Sequence, residues 1–350
     1  DKKLPIFFKQ DLIKKNAKLY IIDAQNIASE VGLGNKINTI MQSAFFKVSN
    51  IIDFESAKNQ MIEAARKTYM RKGESVVKAN ERAVLSFDRL EFVPLSLLSE
   101  KTFEDEPKNF GSDGCNSDCV NCIGCENEVK FANEVMKPIS LREGNNLKVS
   151  AFAPDGRVPT GTSQFEKRGI ALRCPNWNSD LCVQCGRCVM ACPHAAIRAV
   201  LVDENEIKDA PEGFITKDAI GVKGAKYRIQ VSPLDCTGCG VCANVCIAKD
   251  KALKMEVAPD LSNEIENYNY SKTLKQTTSP FNKFSTKGLQ FYRPYFEFSG
   301  ACGGCGETPY IKLLSQLYGE NIIIANATGC SSIYGGSFPS CPYSKDENGN

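Results

Sequence analysis

Histidine is almost missing from this sequence, with one in 350 residues, and tryptophan also occurs once. That scarcity leaves little room for imidazole-based zinc sites or for triad chemistry. Excess charge is missing as well. Forty-three Lys and Arg stand against 41 Asp and Glu, a formal net charge of +2. No broad basic face is expected, and nucleic acid is not the expected partner. No apolar run approaches the roughly 18 residues of a membrane span, so none is predicted. Asp1 leads into KKLPIFFKQDLIKK, which has neither an apolar leader core nor a small-residue cleavage site, so no signal peptide is expected.

What is abundant is cysteine, with 17 in the chain. A secreted disulfide scaffold is usually much smaller. The cysteines cluster at two- and three-residue intervals, which suits metal ligation better than a disulfide net. The expected setting is the cytoplasm or another reducing, low-oxygen compartment. Hydrophobic residues make up 42%, enough for buried cores, and the length suggests two or three domains. The start at Asp and the stop at SKDENGN suggest a piece of a longer polypeptide.

Residues 1–90 read as α/β. KLYIIDA (18–24) is an apolar strand, and 37–46 reads as helix. Asp53 can N-cap a helix to about Lys72, with Ala57, Met61, Ala64, Ala65 and Tyr69 on one side and Gly73 at the stop. A second helix, 74–86, turns Val76, Val77, Ala79, Ala83 and Val84 inward. Residues 91–173 read as a linker or wrapping segment with a Cys-rich insert at 111–126. Residues 174–256 hold two copies of one cysteine motif. Residues 257–290 are polar and read as a linker, and 291–350 return to α/β.

The first copy is Cys182-x2-Cys185-x2-Cys188-x3-Cys192-Pro193, and the second is Cys236-x2-Cys239-x2-Cys242-x3-Cys246. Each C-x2-C-x2-C loop can wrap three corners of a [4Fe–4S] cluster, and the fourth Cys of each run ligates the other cluster. Cys182, Cys185, Cys188 and Cys246 therefore form one set. Cys236, Cys239, Cys242 and Cys192 form the other. A pair of structural zinc sites is the alternative, but such sites rarely show an interlocked double run. The 43 residues between Cys192 and Cys236 are a long excursion, with a strand expected at AKYRIQV (225–231), and should dock on the rest of the protein. His194 and Trp177 read as structural residues.

Further on stands SGACGGCGETPYIKLLSQLYG, then NIIIANATGCSSIYGGS. Thr308-Pro309 is a good helix start, with Leu313, Leu314 and Leu317 as its apolar face and Gly319 at its end. NIIIANA (321–327) reads as a buried strand. A helix start and the end of a following strand share one sheet edge, which would gather Cys302, Cys305 and Cys330 into a third cluster lacking a fourth ligand. Three incidental thiols are the plain alternative. GCSSIYGG offers amides and hydroxyls suited to an anionic group.

These residues resemble the pyruvate:ferredoxin (flavodoxin) oxidoreductases. The resemblance rests on KINTIMQSAFFKV, KTYMRKGESVVKANERAV, PDGRVPTGTSQFEKRGIAL, the double run ending CPHAAIR, SGACGGCGETPY and ATGCSSIYGG, in the family's order. It covers the middle of a much longer enzyme. It implies the end of a coenzyme-A-contacting α/β domain, a linker, a ferredoxin-like two-cluster domain, and the start of a thiamine-diphosphate-binding α/β domain. It implies that pyruvate is decarboxylated on thiamine diphosphate with Mg. Electrons would leave through proximal, medial and distal [4Fe–4S] clusters to ferredoxin, flavodoxin or a fused flavin module, and the acetyl group would pass to coenzyme A. Cys302, Cys305 and Cys330 would bind the proximal cluster, and Glu307 and Cys330 would lie against thiamine diphosphate. Asn38 and Asn80 would contact coenzyme A, with helix-surface or capping asparagine as the alternative. A homodimer of the full-length protein is expected. Without the remaining thiamine and magnesium motifs, the 350 residues are expected to be inactive alone.

The resemblance does not account for Cys115-x3-Cys119-x2-Cys122-x2-Cys125. A further Fe–S cluster, zinc held by four thiolates and a flexible thiol-rich loop all fit, and Cys174 could supply a ligand. Cys341 reads as a plain thiol. Two other functions stand beside the main reading: a pyruvate:NADP oxidoreductase fusion or other 2-oxoacid enzyme, and a non-catalytic ferredoxin-type electron carrier.

Overall fold

The computed structural model describes residues 6–34, 36–98, 125–257, 262–274 and 280–345. The chain divides into two compact units, Asp1–Pro107 and Lys108–Asn350. Cys115, Cys119 and Cys122 lie outside the described residues, as does the side chain of Cys125.

In the first unit only three residues of the expected strand pair. β1 (Leu19–Ile21) runs antiparallel to β2 (Glu91–Val93). Asp23 ends the strand because its carboxylate accepts from Asn26 N–H at 3.1 Å and caps a helix, Ala24–Val31, that the sequence reading did not anticipate. Helices Asn38–Ser49, Phe54–Tyr69 and Glu74–Leu85 follow. Asp53 caps the second of these as expected, accepting from Ser56 N–H at 2.9 Å, and residues Met70–Lys72 tighten into a 3-10 turn before Gly73. Ala57, Met61 and Ala65 are buried, but Ala64, at the edge of the same stripe, is exposed. The core joins Ala24, Ile27, Ala28, Ile40 and Ala83.

Among the described residues of the second unit the first element is helix Cys125–Phe131, which passes through a π-turn at Ala132–Met136 into Lys137–Ser140. Ala132 and Met136 pack on Phe165. β3 (Arg173–Trp177) pairs antiparallel with β7 (Leu253–Val257). The excursion between the cysteine motifs forms its own sheet. β4 (Ile197–Asp203) pairs with β6 (Ala225–Val231), the strand expected at 225–231, and β6 also pairs with β5 (Lys217–Asp218). The main core gathers Val189, Ile197, Leu201, Tyr227, Ile229 and Leu253, with Cys192 and Cys242 among them.

Three local expectations are corrected here. The polar stretch 257–290 contains helix Ser262–Thr273. It has no apolar stripe to read, and Arg228 and Gln230 hold it by reaching Glu264 at 2.8 and 3.0 Å. Residues 321–327 form no strand, and Ile323 is 96% exposed, since no described segment lies alongside to complete a hydrogen-bonded ladder. Helix Thr308–Tyr318 starts where Thr308-Pro309 predicts, but it buries Thr308, Lys312, Ser315 and Gln316 while Leu314 stays exposed. Lys312 bonds to the cysteine domain and Gln316 to Leu289 O and Tyr292 O, and those bonds decide which face turns inward.

Candidate metal centre

The two cysteine motifs are shaped alike. Gly186 and Gly240, at φ of 72° and 75°, turn each loop into a short helix, Arg187–Ala191 and Val241–Asn244. Glycine adopts this left-handed conformation without the penalty an L side chain meets. At Gly186 a Cβ would also stand 3.0 Å from Gln290 Cγ. Cys188 and Cys242 sit on the helices, and the other cysteines lie on the loops or just beyond.

Cys182, Cys185, Cys188 and the distant Cys246 line one small cavity, walled by Trp177, Tyr227, Ile229 and Leu253. This is the interlocked set expected from spacing. Burial pushes the Cys188 thiol well above its ordinary value, and Cys182, Cys242 and Cys185 push it the same way. Thiolates packed this closely are stable about a cationic core, which inverts the local preference for the neutral thiol. Backbone amides face the sulfurs: Gln184 N–H donates to Cys182 Sγ at 3.4 Å and Ala252 N–H to Cys246 Sγ at 3.3 Å. Among the described residues no three His, Cys, Asp or Glu side chains close onto a single-ion position. Four thiols lining one apolar-walled cavity match the ligand number of a [4Fe–4S] cluster.

The second set shows the same neighbourhood. Cys242 is pushed up to about 12, first by burial and then by Cys192, Cys236 and Cys239. Gly238 N–H donates to Cys236 Sγ at 3.4 Å. Cys174, buried on β3, lies against Cys236, and their interaction moves Cys174 down and Cys236 up, burial adding to the latter. The structure thus places Cys174 beside the second set.

The third group is more open, with Cys302 and Cys330 exposed and Cys305 half-buried. Cys305 N–H donates to Cys302 O at 3.0 Å and closes the loop. That loop rests on the second set: a Cβ at Gly303 would stand 3.5 Å from Thr237 Oγ1, and one at Gly304 3.7 Å from Cys239 Cβ. Glu307 is exposed at the start of helix Thr308–Tyr318. Tyr334, on helix Cys330–Gly336, has its pKa raised by burial and then by Glu307 and Cys305, so the helix bearing Cys330 approaches that corner. Cys341 is a half-buried thiol with a weak 3.8 Å contact to Tyr343 O.

In the first unit, Asn80 is buried and internally engaged, accepting from Thr39 Oγ1 at 2.9 Å and donating to Val76 O at 2.9 Å. Asn38 is exposed at the start of its helix.

Several supporting residues were not anticipated. Gln184, buried between Cys182 and Cys185, donates to Asp218 O at 2.7 Å and accepts from Ile220 N–H at 2.8 Å, so the excursion clamps the first loop. Arg198 and Glu297 form a buried ion pair that ties β4 to the segment before Cys302. His194 donates from Nδ1 to Ser299 O at 3.0 Å across the same seam, and burial lowers its pKa. Lys312 was legible in principle, because Thr308, Lys312, Ser315 and Gln316 form a polar stripe at helical spacing.

Fold and site together define a double-cluster electron-transfer protein. Residues 181–249 match the family described as 4Fe-4S dicluster domain. Residues 1–86 match Pyruvate ferredoxin/flavodoxin oxidoreductase, and residues 124–171 match a domain of unknown function. The chain is 46% identical over 354 residues to the pyruvate:ferredoxin oxidoreductase of Moorella thermoacetica, aligning 100% of itself with 29% of that protein. It is 44% identical to the pyruvate-flavodoxin oxidoreductase of Enterobacter agglomerans, with 100% and 29% covered. It is 41% identical to the pyruvate dehydrogenase (NADP(+)) of Cryptosporidium parvum, with 99% and 19% covered. The chain belongs to the pyruvate ferredoxin/flavodoxin oxidoreductase family and spans less than a third of the length of these relatives.

Proposed function

We propose that the chain is the electron-relay portion of a pyruvate:ferredoxin/flavodoxin oxidoreductase, in which pyruvate and coenzyme A become acetyl-CoA and CO2 and two electrons go to a low-potential carrier. The observation that carries this reading is the cavity lined by Cys182, Cys185, Cys188 and Cys246, in a chain whose relatives carry that activity in their names. When bound, thiamine diphosphate with Mg supplies the chemistry that splits a 2-oxoacid, and the clusters supply one-electron steps.

The chain's own residues hold and order these groups. Cys302, Cys305 and Cys330 supply three ligands of the proximal cluster, with Glu307 and Cys330 against thiamine diphosphate. Cys236, Cys239, Cys242 and Cys192 hold the medial cluster, and Cys182, Cys185, Cys188 and Cys246 the distal one. The close approach of Gly303 and Gly304 to the Thr237–Cys239 loop supports this order. Exposed Asn38 is available to coenzyme A, whereas buried Asn80 serves through its bond with Thr39. The full-length protein is a homodimer working in a reducing compartment, and the 115–125 cysteines hold a further cluster or zinc.

Two measurements test this. Anaerobic iron, acid-labile sulfide and zinc per chain should give at least about eight irons with matching sulfide, and fewer would overturn the two-cluster reading. The full-length polypeptide should reduce ferredoxin or flavodoxin with pyruvate and coenzyme A, and the isolated 350 residues should not. A second reading, transfer to NADP through a fused flavin module, is favoured by the 41% identity to the Cryptosporidium protein. Pyruvate-dependent NADP reduction by the full-length protein would select it.

A further inference from the structure

Lys312 is 2% exposed, in the buried stripe of helix Thr308–Tyr318. Its Nζ donates to three carbonyls, those of Val189, Met190 at 3.0 Å and Cys192 at 3.2 Å. They lie at the end of helix Arg187–Ala191, where carbonyls run short of helical partners, and Val189 O and Cys192 O otherwise take only long backbone bonds, from Cys192 N–H and Ala195 N–H at 3.4 Å each. An ammonium has three N–H donors, and three acceptors use them all, so the geometry is that of a cation, although burial lowers its pKa to about 8. Cys188 stands on this short helix and Cys192 ends it, yet the two belong to different thiol sets. A buried ammonium therefore sits where the two sets are joined, carried in by the element that follows Cys302 and Cys305, whereas the nearby Arg198 is already paired with Glu297.

We infer that Lys312, held as an ammonium by its three carbonyls, raises the reduction potential of both clusters held by these sets. This rests on the two-cluster reading above. Each electron accepted makes a cluster more negative, and a cation buried nearby favours that reduced form. A unit charge within about a helix turn, poorly screened, is worth on the order of tenfold in a reduction equilibrium, or about 59 mV for one electron. The effect eases electron entry from the Cys302–Cys305 side.

The test is an anaerobic redox titration followed by electron paramagnetic resonance on the purified protein and its Lys312→Met, Lys312→Gln and Lys312→Arg variants, with iron and sulfide counted first. Both neutral variants should keep their iron and lose about tenfold in the reduction equilibrium at both clusters, a fall of about 59 mV. Lys312→Arg should stay at the parent's potentials. Unmoved potentials in a neutral variant that keeps its iron, or an Arg variant that falls with the neutral ones, would overturn the inference and leave Lys312 as a helix cap only. Loss of iron from both neutral variants would overturn it too, by making the residue a requirement of assembly. Fewer than about eight irons in the parent would instead sink the cluster reading, and the inference with it, by a separate measurement.

Discussion

Replacing Glu297 by Ala should destabilise the second unit by about 3 kcal/mol. The carboxylate is 6% exposed, paired with Arg198 and 3.7 Å from Arg293. It lies in a segment held on several sides: Glu297 N–H donates to Pro342 O at 2.9 Å, Phe298 N–H to His194 O at 2.9 Å, and Ser163 Oγ to Glu297 O at 2.9 Å. Removing it strands the Arg198 guanidinium with the Ala195 carbonyl at 2.8 Å and the Phe298 ring at 5.7 Å. Breaking one side of a buried pair costs ~3–5 kcal/mol, and those two remaining contacts place this case at the lower end. At ~2–4 °C per kcal/mol for a unit of this size, the transition should fall by ~6–12 °C. The assay is calorimetry at matched iron content. An Arg198→Met/Glu297→Leu double variant should recover at least half the loss, because two apolar partners leave no stranded charge. A single variant that melts within about 1 kcal/mol of the parent would refute the reasoning. The pH arm has a definite sign. Burial works against the Glu297 carboxylate, but Arg198 and Arg293 outweigh it and hold its pKa below the ordinary 4.5. The pair's contribution is therefore complete above about 4.5 and lost as pH falls through the depressed native value. Glu297→Ala should lack that component in melts run down the acid range.

Three other outcomes are expected. Cys246→Ser and Cys192→Ser should each remove about four irons and each spare the other cluster's resonance; a single substitution that empties both sites or neither would contradict the interlocked sets. Gly186→Ala should cost ~1–2 kcal/mol, since its φ is 72° and the new Cβ would meet Gln290 Cγ at 3.0 Å; the readout is denaturant unfolding together with faster iron loss to a chelator, and unchanged values would refute it. Asp53→Ala should remove an N-cap worth ~1 kcal/mol and speed hydrogen exchange at the start of helix Phe54–Tyr69; exchange equal to the parent's would count against the cap.

Legibility differed from element to element. Asp53, Thr308-Pro309 and AKYRIQV carried local signals, and the structure uses each as its chemistry suggests. The helix Ser262–Thr273 carried none, because its anchors, Glu264 on Arg228 and Gln230 and the Tyr270 ring on Phe214, form no apolar stripe. NIIIANA looked like a buried strand because three isoleucines in a row satisfy a strand pattern, yet a strand also needs a neighbour, and Ile323 stands exposed. On helix Thr308–Tyr318 the leucines suggested one inward face, while the carbonyls that receive Lys312 selected another.

The proposed thiol sets were legible in the sequence alone. Thiol chemistry and two- and three-residue spacing are local properties, and the crossing of Cys192 and Cys246 between sets follows from how short loops can wrap a cluster. Only the tertiary structure decided what surrounds those ligands. Gln184 is clamped by Asp218 and Ile220, Cys174 lies against Cys236, Arg198 reaches Glu297 99 residues away, and Lys312 comes to rest on Cys192 120 residues back. Such partners are separated along the chain by distances that no local pattern encodes. They are chosen by which buried carbonyl, charge or sulfur would otherwise be left without a match.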